Sequence, residues 1–143
     1  MRELVFVLRR RFGVQVIGRK GALYVLGPGV ASDLEVFLQH PRSWLWRGRY
    51  LNGLGTDQVL WARVYRLALD VAQQAEPLEA ARLFSWLLLE EPYDQEVLAL
   101  LLRLLGASGA FGSLERVYFM ARRRFREVGL ILPSTPSEFL QGL

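Results

Sequence analysis

The sequence predicts a mostly helical protein, built as a stack of helical hairpins behind a short helix and a β-hairpin. Three observations carry that prediction. From residue 56 onward the chain alternates apolar-periodic runs with sharp breaks at Pro77, Pro92, Ser108-Gly109 and Gly129. Its C-terminal half, from Ala75 to Pro136, partly repeats itself at an offset of 34 residues, with Ala75 falling on Gly109, Leu83 on Val117 and Phe84 on Tyr118. Two β-rich runs lie near the front, before the strong break Gly27-Pro28-Gly29, which sets residues 1–27 apart from a helical domain over residues 30–143.

A 34-residue period is that of the tetratricopeptide unit, a helical hairpin that stacks on its neighbours and presents grooves to partners. At the front, residues 3–12 (ELVFVLRRRF) read as a helix ended by Gly13. At 100° per residue Leu4, Val5, Val7, Leu8 and Phe12 share one side, with Arg2, Arg9 and Arg10 opposite and Phe6 among them. The apolar side requires a cover. Val14–Gly18 and Ala22–Leu26 read as strands joined by Arg19-Lys20-Gly21, which places a basic tip on the hairpin.

Beyond the break, Ser32 or Asp33 caps a short helix that runs through Gln39, and His40-Pro41 ends it. A short, turn-rich element with two tryptophans follows over residues 44–50. Thr56 or Asp57 opens a long helix to about Gln74, with Leu60, Val64, Leu67, Ala68 and Val71 as its main stripe. Trp61 and Tyr65 widen that stripe, while Arg63, Arg66 and Asp70 hold the polar arc; so apolar a helix packs on two sides. Pro77 suits the first turn of the next helix, which Pro92 stops. Asp94 caps a helix to about Ala107, another runs from about Ser113 to Glu127, and Ser137–Gln141 forms a short closing helix.

Composition narrows the function classes. Apolar residues make up 52% of the 143, enough for a core, and the charged fraction of 22% is ordinary for a folded chain. There is no Cys, so disulfides and thiolate metal sites are excluded, and a reducing cytoplasm fits. The leucine run LALLLRLLG is broken by Arg103 and is too short to cross a membrane. Of the net charge of +4, residues 1–20 hold more than the whole: Arg2, Arg9, Arg10, Arg11, Arg19 and Lys20 stand against Glu3 alone. A basic front on a near-neutral body points to an anionic partner there, nucleic acid first, with double-stranded DNA among the candidates.

Several motifs resemble a known family. GASGAFGSLERVYFMARRRFREVGLILPSTPSEF is similar to the C-terminal part of the bacterial transcriptional activator domain (BTAD), through Gly109, Arg116, Val117, Tyr118, Gly129, Pro133 and Ser134. LEEPYDQEVLALLLRLL resembles that family's preceding stretch through Pro92 and Glu96, with Glu91 where the family has Asp. Gly48, Leu51, Gly53, Trp61 and Arg63 or Arg66 match a further signature, and Asp33 with Phe37 its opening. In SARP-type regulators this tetratricopeptide-like module follows a winged helix-turn-helix domain. VFVLRRRFG looks like the end of a recognition helix and IGRKGALYVL like the wing, through Gly21, Tyr24 and Leu26. The family's winged helix has two further helices before this point. The resemblance therefore implies either part of a longer regulator or a shortened DNA-binding segment.

The candidate DNA contacts are Arg2, Arg9, Arg10, Arg11, Arg19 and Lys20, set beside a simpler reading in which arginines at a helix end offset its macrodipole. Arg122-Arg123-Arg124 with Arg116 and Arg126 reads as a solvated helix surface, because these residues point several ways and Glu115 and Glu127 flank them. Trp44, Trp46 and Tyr50, interleaved with Arg42, Arg47 and Arg49, offer a stacking surface for single strands or a plug for the end of the helical stack. In the carboxylate cluster Glu90, Glu91, Asp94 and Glu96, capping accounts for Asp94 and solvation for the rest. His40 is the only His, without a second His or a Cys to complete a dyad or metal site. Phosphate-cradling glycine motifs do not occur. The expectation is a binding protein with no catalytic, metal or cofactor residues, whose partner is a protein, DNA or both. The alternative is a helical adaptor with no DNA contact.

Overall fold

The computed structural model describes residues 6–7, 10–11, 13, 17–20, 23–27, 30–46 and 58–142. The chain is mostly helical and divides into two compact units, Met1–Gln39 and His40–Leu143. The division falls later than Gly27-Pro28-Gly29, so the short helix after that break belongs with the N-terminal unit.

In the N-terminal unit, Phe6, Val7, Arg10 and Arg11 are helical. Strands β1 (Ile17–Lys20) and β2 (Leu23–Leu26) pair antiparallel, Ile17 with Leu26, Gly18 with Val25, Arg19 with Tyr24 and Lys20 with Leu23. This corrects the expected hairpin tip. Arg19 and Lys20 are ladder residues of β1, not a loop, because the pairing continues two residues further than the glycine signal suggested. Val14–Val16, the expected start of the first strand, lies outside the described residues. Val7 was expected on the covered side of its helix yet is 55% exposed. Periodicity marks a face, but burial needs a second surface, and nothing among the described residues covers this one. Helix α1 (Asp33–Gln39) begins at a reciprocal cap: the Glu35 N–H donates to Ser32 Oγ at 3.1 Å and the Ser32 N–H donates to Glu35 Oε2 at 2.8 Å.

The C-terminal unit opens with a 3-10 turn at Ser43–Leu45. Four long helices follow, α2 (Gln58–Gln74), α3 (Pro77–Glu90), α4 (Gln95–Ala107) and α5 (Phe111–Glu127), and then a short α6 (Pro136–Gln141). Each long helix packs on the next in order, and α6 packs back on α4 and α5. The first three connections have only two to four residues, so each helix turns back along its predecessor. Helix α5 starts two residues before the expected Ser113, since Gly112 is taken into its first turn rather than left in the loop.

The expected breakers act by identifiable chemistry. Gly109 and Gly129 have φ of 71° and 79°, the left-handed region that costs an L side chain energy. Each closes its helix with the same pair of bonds: Ala110 N–H to Leu105 O and Gly109 N–H to Gly106 O after α4, and Leu130 N–H to Phe125 O and Gly129 N–H to Arg126 O after α5. At α6, Thr135 accepts from the Glu138 N–H while Glu138 reaches back to the Thr135 backbone.

Helices α3 and α5 start 34 residues apart, and two of their buried positions correspond. Phe84 and Tyr118 are both buried, as are Leu87 and Ala121. Around α5 the core is Leu98, Ala99, Leu102, Tyr118, Ala121, Phe125, Leu132 and Phe139. In α2 the buried line is Trp61, Val64, Ala68, Leu69 and Ala72, a stripe turned relative to the expected one, in which Leu60, Leu67 and Val71 are only half-buried. Trp46 is buried and its ring lies 5.9 Å from that of Trp61, whereas Trp44 is 62% exposed. Of the aromatic and arginine group, Arg47, Arg49 and Tyr50 lie outside the described residues; Trp46 is core and Trp44 is surface.

Candidate interaction surfaces

The basic front is described only in part. Arg10 and Arg11 are helical and exposed, and Lys20 is exposed on β1 beside Arg19 in the same strand. Arg2 and Arg9 lie outside the described residues. Two short elements thus each carry adjacent basic residues.

The carboxylates at the α3–α4 junction were expected to be capping or solvated. Two of them instead fasten α2. The Trp61 indole N–H donates to Glu91 Oε1 at 2.9 Å, and the Tyr65 hydroxyl donates to Asp94 Oδ2 at 2.8 Å. Asp94 uses its other oxygen as the expected cap, accepting from the Val97 N–H at 3.0 Å. Sequence reasoning missed these contacts because the partners are about thirty residues apart. The one available signal was a Trp and a Tyr at i and i+4 on a helix facing a carboxylate-rich loop, since buried Trp and Tyr need polar partners for their tips.

Tyr65 and Tyr118, whose hydroxyl donates to the Pro133 carbonyl, are both pushed above the usual tyrosine range. For Tyr65 the largest cause is burial, followed by the bond to Asp94 and the nearby charges of Asp94, Glu91 and Glu96. For Tyr118 burial again leads, opposed by Arg122 and helped by Glu138. An unfolded phenol loses its proton near pH 10, before the folded one does, so folding retains a proton there and stability falls as pH rises. This contribution is complete below about pH 10 and declines above it. With a single Lys and no Cys, tyrosines dominate the side-chain titration in that range. The urea midpoint is expected to drop through it, and to drop less steeply in Tyr65→Phe; an equal slope in the variant would exclude Tyr65 as a source.

The third feature is a trough between α3 and α5, of about 160 Å³. Its floor is Leu98 and Leu101 of α4, one wall is Ser85, Leu88 and Leu89, and the other is Val117, Met120, Ala121 and Arg124. Residues of α3, α4 and α5 line it together. Leu89 is 64% and Met120 55% exposed, so apolar surface faces outward on both walls. A second, more open hollow continues along α3 past Leu78, Glu79 and Arg82, sharing Ser85 with the first. Beside it Arg82 stacks over the Trp86 ring at 5.1 Å and pairs with Glu79 at 3.7 Å, and Glu79 also accepts from the buried Ser43 hydroxyl. Among the described residues no three His, Asp or Glu are grouped to hold a metal ion, and no helix is long and apolar enough to cross a membrane.

Comparison with protein-family models, curated proteins and solved structures finds no match to this chain.

Proposed function

We propose that this chain is a transcriptional regulator or a segment of one, in which a partial winged-helix segment contacts DNA and a tetratricopeptide-like helical unit binds protein partners. The unlike chemistry of the two units carries the reading. A basic helix and β-hairpin occupy the front, while the helical unit leaves an apolar trough open to solvent. The order of helical residues, β1 and β2 supports the reading of a recognition-helix end and a wing, and the BTAD-like motifs follow in order. The 34-residue spacing of α3 and α5 supports the tetratricopeptide-like arrangement. The mechanism is one of binding, without a chemical step, cofactor or metal, and its setting is the cytoplasm.

The test is binding to duplex DNA at low and moderate salt, by the parent and by a variant with Arg9, Arg10, Arg19 and Lys20 all changed to Ala. The parent is expected to show salt-sensitive binding. Each phosphate-neutralising side chain removed in the variant is expected to flatten the log–log salt slope by about 0.9. Salt-insensitive binding, or a variant that binds as the parent does, would defeat DNA contact by this chain. A second reading, a helical adaptor for protein partners or dimerisation without DNA contact, draws on the separate compactness of His40–Leu143 and its open trough. That result would favour it.

A further inference from the structure

The trough between α3 and α5 has apolar walls and floor, and Arg124 is the one charged residue among those lining it. We propose that it binds an amphipathic helical segment of a partner protein that carries acidic residues alongside its apolar stripe. This rests on reading the helical unit as a partner-binding module and adds the chemistry of the partner.

Two observations carry the proposal. The first is the shape of the apolar surface. Single exposed hydrophobic residues are ordinary, but contiguous ones rimmed by polar groups mark docking sites. Leu78, Ser85 and Leu89 lie at i, i+7 and i+11 along one line of α3, Leu78 (88% exposed) in the neighbouring hollow and Leu89 (64% exposed) in the trough, where Met120 lines the opposite wall from α5. At 1.5 Å per residue that line is about 16 Å long. It suits a helix of about three turns laying anchors at i, i+4 and i+7 into a groove.

The second is charge. Helix α5 carries Arg116, Arg122, Arg123, Arg124 and Arg126 against Glu115 and Glu127. The exposed Arg123 pairs with Glu127 at 3.4 Å, but Arg116 and Arg124 make no ion pair among the described residues. Of these two, Arg124 lines the trough. A lone guanidinium beside an apolar floor selects partners by complementary charge, steering acidic segments in and disfavouring basic ones.

Fluorescence anisotropy with the full chain tests this, using two labelled helical peptides that share one leucine stripe. One carries Glu on the flanks of the stripe and the other Lys. At low salt the Glu peptide is expected to bind roughly tenfold more tightly than the Lys peptide, with the gap narrowing as salt screens the charges. Arg124→Glu is expected to remove or invert the preference, and the pair Leu89→Glu and Met120→Glu to weaken the Glu peptide by at least roughly tenfold. Both apolar positions are more than half exposed, so the variants should melt like the parent by circular dichroism.

Equal affinity for the two peptides would overturn the acidic partner and leave the trough a docking surface. Binding unchanged by Leu89→Glu with Met120→Glu, or absent for both peptides, would overturn the site itself. A concentration-dependent dimer abolished by Leu89→Glu would assign the trough to a second copy and overturn the proposal as well. None of these outcomes alters the DNA titration, so the two readings fail separately.

Discussion

Replacing Tyr118 with Ala is expected to lower the stability of the helical unit by about 3–5 kcal/mol, the range for removing a large aromatic from a packed interior. The side chain is fully buried in the core around α5, its ring lies 5.6 Å from that of Phe139, and its hydroxyl donates to the Pro133 carbonyl at 2.8 Å. It therefore joins three pieces of chain: α5, the segment that follows it, and α6. Tyr118→Phe isolates the hydroxyl, and its expected cost is only about 0.5–1.5 kcal/mol. Urea unfolding of the two variants separates packing from hydrogen bonding. If Tyr118→Ala cost no more than Tyr118→Phe, the ring would not be the keystone of this core.

Asp94→Ala is expected to cost about 2–3 kcal/mol, more than the loss of an ordinary helix cap at about 1 kcal/mol. The excess arises because one carboxylate serves twice, capping α4 through Val97 and receiving the Tyr65 hydroxyl from α2. Asn at this position caps nearly as well, so Asp94→Asn should recover the cap and weaken the bond to Tyr65. A double-mutant cycle with Tyr65→Phe, read by urea unfolding, is expected to show coupling of about 1 kcal/mol. Additive effects would mean that the two residues do not share an interaction.

Much of the helical unit was legible in the sequence because its punctuation is local chemistry. Pro77 at a first turn, Asp94 as a cap, and Gly109 and Gly129 at positive φ each act within a few residues of their own position. The 34-residue offset was legible too, in that α3 and α5 start 34 residues apart and share two buried positions. The hairpin register was not, because a glycine signals where a turn is permitted and the ladder decides where it falls. The rotation of the α2 stripe was likewise hidden: Trp61 and Tyr65 sit where Glu91 and Asp94 can receive them.

The arginines of α5 show the same limit in the candidate site. In sequence they form a solvated run pointing several ways, and most of them remain so. Packing alone gives Arg124 a different role, by standing α5 beside α3 over α4 so that one guanidinium lines an apolar trough. By itself the sequence determined the helical class, the breaks between helices, the repeat and the basic front, all set by neighbours in the chain. Only the tertiary structure decided which carboxylates fasten α2, which aromatics are core and where apolar surface stays open. Those outcomes depend on contacts between residues far apart in the chain, whose free energy no local pattern encodes.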